Sequence, residues 1–207
     1  MYRVITYIDG FNMYFGLKSK CWYRYYWLDI HLMAQNLLRP AQSLVSVKYF
    51  TARVSATQKN SGKQKRQATY LDVVESLPKT RVFYGHYLTK KITCLQCGNA
   101  WAIPEEKMTD VNISVEMMTD AFDDAFDVAL LISGDSDLAG PVQAILHRYP
   151  KKRIIVVSPP NRHSKRLKSL ATGSINLGEN ILRKSLLPEK YERPDGLILE
   201  RPKNWNK

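Results

Sequence analysis

The sequence predicts an α/β protein: a three-layer domain with a central, mostly parallel sheet. Three observations carry this expectation. Val4-Ile5-Thr6-Tyr7-Ile8 and Val128-Ala129-Leu130-Leu131-Ile132 are short unbroken apolar runs, and each is closed by a turn containing Gly. Such runs mark strands buried on both faces, as parallel strands are. Ile154-Ile155-Val156-Val157 is a third, closed by Ser158-Pro159-Pro160. Helical periods lie between the runs, and alternation of the two periods is the signature of layered α/β folds. With 207 residues, 44% hydrophobic and 24% charged, the chain is long enough for one such domain and has a globular composition.

Taken in order, the first run stops at Asp9-Gly10-Phe11-Asn12, and Asp29 caps a helix reaching Leu37. Residues 44–54 and 81–88 are less purely apolar and are expected as strands nearer the sheet edge. Residues 63–77 form a helix that is basic at its start. Val111, Val115, Met118 and Phe122, spaced by four, three and four, predict an apolar stripe turned to the core on one helix. Residues 137–149 and 163–171 supply two more helices. Residues 89–105 interrupt the alternation as a small hairpin insertion carrying Cys94 and Cys97. The domain is expected to span 1–185, and 186–207, rich in Pro and charge, reads as a loosely packed C-terminal tail.

Thirty-one Lys and Arg against 19 Asp and Glu give a net charge of +12, which favours an anionic partner such as nucleic acid. A membrane surface would offer the same charge, but no apolar run approaches the length of a spanning helix, and no membrane partner is expected. The N-terminus enters the first strand without a basic and apolar leader, and three Cys make no disulfide framework. A soluble, reducing, cytoplasmic setting follows as the expectation.

Against this charge, carboxylates gather where a parallel sheet binds its ligands, beyond the carboxyl ends of the strands. Asp9 closes the first run, Asp135 and Asp137 follow the run at 128–132, and Asp110 opens a helix. Short Asp side chains on rigid strand ends suit Mg²⁺ or Mn²⁺, which take oxygen ligands and activate water toward a phosphodiester. An acidic hole with a basic rim is the layout of a metal-dependent nuclease. Taken singly, each Asp is also a normal turn or capping residue. Asn12 either starts the next helix or holds a water or phosphate oxygen. Ser133 and Ser136 either donate to a phosphate and orient the acids or are small turn residues, and Lys107 is either a phosphate contact or a solvated surface Lys.

Ile8-Asp9-Gly10-Phe11-Asn12, Glu106-Lys107-Met108-Thr109-Asp110-Val111 and Leu131-Ile132-Ser133-Gly134-Asp135-Ser136-Asp137 occur in an order and spacing similar to the NYN domain, in particular its bacterial LabA-like branch, a relative of PIN-type nucleases. The resemblance covers roughly residues 1–171. It implies a PIN-like, Rossmannoid sheet with a metal-dependent ribonuclease site in which Asp9, Asp110, Asp135 and Asp137 bind metal and Asn12 assists. It also supplies the preference for RNA; DNA is not excluded by the residues. The chain departs from the family pattern at Met108, where Gly usually follows the Lys. A weakly catalytic or non-catalytic RNA-binding regulatory module is the alternative reading.

Two further features bear on partners. Cys94-Leu95-Gln96-Cys97-Gly98 has the shape of a zinc knuckle but supplies only two of four ligands. Cys21 and His86, a shared Zn²⁺ across a homodimer, a redox pair, or a metal-free remnant all stay open. Lys59, Lys63, Lys65 and Arg66 form one basic cluster for phosphates, and Lys151, Lys152, Arg153, Arg162, Lys165, Arg166 and Lys168 form another. Tyr23, Tyr25, Tyr26 and Trp27 beside Lys20 and Arg24 suit either a packed core or contact, or base stacking. No Gly-x-Gly-x-x-Gly turn or Walker loop is present, and the first strand is followed by Asp9-Gly10-Phe11, not by the Asp-x-Asp that a phosphatase of the haloacid-dehalogenase type places there.

Overall fold

The structure, a computed structural model, describes residues 1–54 and 61–206. Strands β1 (Tyr2–Asp9), β2 (Gln42–Ala52), β3 (Thr80–Thr93), β4 (Ala100–Lys107), β5 (Val128–Ile132), β6 (Arg153–Ser158) and β7 (Gly173–Asn176) form one sheet in the order β4-β3-β2-β1-β5-β6-β7. All pairings are parallel except β3 with β4. The chain winds from β1 through β2 to β3, then returns to the other side of β1 as β5. The winding therefore reverses between β1 and β5, with Ile8 opposite Ile132 at the end of their shared ladder.

Helices α1 (Gly10–Ser19), α2 (Ile30–Asn36), α3 (Ser61–Ser76), α4 (Thr109–Phe122), α5 (Ala139–Arg148), α6 (Lys165–Leu170) and α7 (Glu179–Lys184) cover the sheet. Alternation along β1 feeds two cores. Val4 and Ile8 pack with Met13, Met33 and Val74 on one face, and Ile5 and Tyr7 with Ile113, Met117 and Val142 on the other. The expected Asp29 cap is present, with Asp29 Oδ1 accepting from the Leu32 N–H at 2.8 Å. No described helix is long and apolar enough to cross a membrane.

Three expectations are corrected. Strand β2 is not near an edge: it lies between β1 and β3, and residues 47–52 are all buried. The stripe on α4 faces solvent instead of the core, with Val111, Val115, Met118 and Phe122 between 48% and 74% exposed. The inner face of α4 instead carries Ile113, Met117, Ala121 and the buried Asp120. Lys48 on β2 reaches that face, its Nζ lying 2.6 Å from both Glu116 and Asp120, while the Tyr7 hydroxyl donates to Asp120 at 2.5 Å. A buried ionic network thus decided which face turned inward, which an apolar spacing cannot show.

The third correction concerns the tail expected over 186–207, whose described residues, 186–206, are not loosely packed. Leu187 is buried, and Trp205 sits 5.6 to 6.3 Å from the rings of Tyr26, Trp27 and Tyr70. The Trp27 indole donates to the Pro188 carbonyl at 2.7 Å, and β8 (Lys190–Glu192) and β9 (Ile198–Glu200) pair as a hairpin. Aromatic surface left open by the α2 and α3 layer is what holds the segment down. The short edge strand β7 and helix α7 were unforeseen, as was the β8–β9 hairpin.

Removing one partner of a buried ion pair leaves the others uncompensated. Lys48→Ala is therefore expected to lower unfolding stability by about 3 kcal/mol in a urea titration.

Candidate functional site

Parallel pairing of β1 with β5 brings their carboxyl ends side by side, and the chemistry of both turns meets there. Asp9 ends β1 and is the N-cap of α1. Its Oδ1 accepts from the Asn12 N–H at 2.9 Å, and its Oδ2 accepts from the Asn12 side-chain amide at 2.6 Å and from Ser133 Oγ at 2.9 Å. Asn12 Oδ1 in turn accepts from the Gly134 N–H at 3.3 Å, and Ser133 Oγ accepts from the Asp135 N–H at 3.0 Å. Asn12 is thus both a helix-start residue and the link between the two turns.

Glycines permit this approach at two positions. A Cβ on Gly134 would lie 2.7 Å from the Arg162 backbone, and one on Gly10 would lie 2.7 Å from both the Phe50 carbonyl and the Tyr49 hydroxyl. Arg162, whose guanidinium lies 5.6 Å from the Phe15 ring, is thereby held against the acidic turn.

Asp110 reaches the same place from the first turn of α4. Its carboxyl is pushed up to about 7, first by burial and then by Asp9, Asp135, Glu106 and Asp137 in that order. Asp9 is raised too, by burial, against the lowering effect of its hydrogen bonds from Asn12 and Ser133. Among the described residues no Lys or Arg forms a salt bridge with Asp9, Asp110, Asp135 or Asp137. In a chain of +12, this is a concentration of unpaired negative charge.

Sequence reading overlooked Glu106 as a member of this cluster. It accepts from the Thr109 N–H at 3.1 Å and so caps the start of α4 just before Asp110. Its position three residues before the helix was the available signal. Met108, at the departure from the family pattern, has φ +83, a left-handed conformation that favours glycine. The local backbone geometry is kept there with a residue that bears strain.

The remaining candidates separate. Asp137 and Ser136 are exposed, and Asp137 is the weakest of the carboxylates acting on Asp110. Lys107 is engaged by Glu105 at 2.9 Å. Lys63, Lys65 and Arg66 lie on α3, and Lys59 lies outside the described residues. In the second basic cluster Lys152 is structural: it is buried, with its Nζ 2.7 Å from Asp124 and 2.8 Å from the Phe126 carbonyl.

Hard oxygen donors fit a divalent cation in kind. Among the described residues, however, no three His, Cys, Asp or Glu side chains converge closely enough to form a ready-made metal group. The same holds at the knuckle, where Cys94 and Cys97 stand without a third ligand. His86 is at the base of the β3–β4 hairpin, opposite Lys107, and the cysteines are at its tip, a span of roughly 25 Å at strand rise. The backbone N–H groups of Cys97 and then Gln96 hold the Cys94 thiol below its usual range.

Comparisons with known proteins bear on this arrangement. The family model of the NYN domain matches residues 3–178. A curated relative, 6-hydroxy-3-succinoylpyridine 3-monooxygenase HspA of Pseudomonas putida, is 26% identical over 189 residues, covering 76% of this chain. The chain spans 59% of that relative's length. A crystal structure of a protein of unknown function from Vibrio parahaemolyticus shares the fold with a TM-score of 0.58, at 20% identity, covering 90% of this chain and 96% of the other.

Because the folded state raises the Asp110 carboxyl from 3.8 to about 7, ionising it costs stability as pH rises through that window. Asp110→Asn is expected to be more thermostable than the wild type without added metal. In melting curves across pH, the gap is expected to widen between 3.8 and about 7 and to level off above.

Proposed function

This chain belongs to the NYN domain family, and we propose that it is a metal-dependent endoribonuclease of the PIN-like, LabA-like kind. The observation that carries the reading is the influence of Asp9 and Asp135, at the ends of β1 and β5, on Asp110, whose carboxyl they help to raise, with no salt bridge to any of the three among the described residues. Mg²⁺ usually binds through one or two carboxylates, keeping waters and taking phosphate oxygens from the substrate. A preformed three-ligand group is therefore not required. Asp110 and Asp135, whose carboxylates are less enclosed than that of Asp9, would be the residues to hold Mg²⁺ or Mn²⁺, with Asp9 supporting the site. When bound, the ion would lower the pKa of an attacking water and offset charge on the phosphodiester.

The chain's own residues supply the rest. Asn12 and Ser133 fix the Asp9 carboxylate through three hydrogen bonds, so its lone pairs point in a set direction. The Arg162 backbone packs against Gly134 of the acidic turn, with its guanidinium directed over the Phe15 ring. Exposed Lys63 and Lys65 with Lys165 and Arg166 extend the attraction for a polyanion.

A second reading, an RNA-binding regulatory module with an idle acidic cluster, draws on the lack of convergence among the acids. Zn²⁺ at Cys94 and Cys97 would need ligands from a second chain, as in a homodimer. The monooxygenase name belongs to a relative of which this chain spans 59%, and the acids that carry the present proposal do not depend on it.

Labelled single-stranded RNA incubated with Mn²⁺ or Mg²⁺ is expected to be cleaved by the wild type. Cleavage is expected to stop with EDTA or in Asp135→Asn, and to fall by about 10- to 100-fold in Ser133→Ala, which loosens Asp9. RNA binding without metal-dependent cleavage would favour the regulatory module.

A further inference from the structure

We propose that a cavity next to Asp9 binds a single nucleotide, with its base among tyrosine rings and its phosphate at Lys63 and Arg66. The cavity has a volume of about 310 Å³ and lies between α1, α3 and the C-terminal segment. Its lining starts at Gly10, the residue after Asp9, and includes Tyr49, whose hydroxyl is packed against Gly10. It therefore opens beside the acidic cluster but is distinct from it. The volume is at the lower end of those that hold small ligands, enough for one ring system and not for a duplex.

The walls suit a flat ring. Tyr14 and Tyr26 face the cavity with ring centroids 5.0 Å apart, and Tyr87 stands edge-on to Phe11 at 6.3 Å. Every nucleobase has a π-face that stacks on such side chains. The Tyr26 hydroxyl is buried and has no hydrogen-bond partner among the described residues. A buried polar group left unpaired is costly, and an acceptor on a base edge would satisfy it.

The rim selects for an anion. Lys63 and Arg66 are three apart on α3 and so share a face, and the Lys63 ammonium lies 5.7 Å from the Tyr14 ring. No Asp or Glu is among the described lining residues. An aromatic slot with a purely cationic rim calls for a planar ring bearing a negative group. That this ring is a nucleobase rests on the nuclease reading; the slot and its charge do not. The nucleotide is either one residue of a single-stranded RNA or a free nucleoside monophosphate, which offer the same ring and phosphate.

The test follows tryptophan fluorescence of the full chain in EDTA, because Trp205 lines the cavity. Nucleoside 5′-monophosphates and short single-stranded RNA are expected to change the signal, and inorganic phosphate is not. Tyr14→Ala is expected to weaken the monophosphate by about tenfold or more. A Lys63→Glu, Arg66→Glu double variant, altered at the rim and not in the core, is expected to weaken monophosphates while sparing nucleosides. Displacement of the monophosphate by RNA would identify the polymer as the source, and its absence a free nucleotide. An equal response to nicotinate, or affinities unchanged in both variants, would overturn the proposal. RNA cleavage without nucleotide binding would remove this inference and leave the nuclease reading standing; nucleotide binding without metal-dependent cleavage would do the reverse.

Discussion

The structure depends on one topological constraint: β1 pairs in parallel with strands on both sides, and the chain changes direction across it. Parallel neighbours end together, so the turns after β1 and β5 have to share the same space. The contact between Ser133 Oγ and Asp9 Oδ2 is the direct result. Glycines at 10 and 134 are needed because backbone and side chains from neighbouring elements close in where a Cβ would stand. The helix that starts at Thr109 is then docked against the sheet by the Lys48, Glu116 and Asp120 network, which aims its first turn, and Asp110, at the same spot.

Placing these carboxylates at one end of the sheet carries an electrostatic cost. Burial and like charge both disfavour ionised Asp110, and no described cation forms a salt bridge with it, even though the chain is strongly basic. The basic residues are placed elsewhere. Arg3 is spent on Asp124 and Asp127, and Lys152 on Asp124. Lys63 and Arg66 rim the tyrosine cavity. Charge of the two signs is thus kept apart around one end of the sheet, which is what a site for a polyanion and a cation together requires.

Much of this could be read from the chain. The two unbroken apolar runs identified the central strands because residues buried on both faces have no polar alternation to hide them. Asp9 and Asp135 were singled out by where those strands end, and Asp110 by its place at the start of a helix. What escaped had a physical reason in each case. The α4 stripe was assigned to the wrong face because spacing reports periodicity and not direction, and the deciding partner, Lys48, is on a distant strand. The packing of Trp205 and the tyrosine cavity depend on contacts between segments nearly two hundred residues apart in the chain, of which composition carries no trace. Glu106 was quoted within its motif yet not recognised, since its effect on Asp110 appears only once the hairpin and helix are folded. The strain at Met108 likewise needs the backbone to be seen.

The central claim is that the paired ends of β1 and β5, together with α4, make a cation site. Isothermal titration of Mn²⁺ into the full chain, above and below the Asp110 value of about 7, tests it most directly. The account predicts one saturable site that weakens as the pH falls below that value, and that is lost in Asp110→Asn and in Asp135→Asn. No saturable binding, or binding that both variants retain at wild-type affinity, would contradict it.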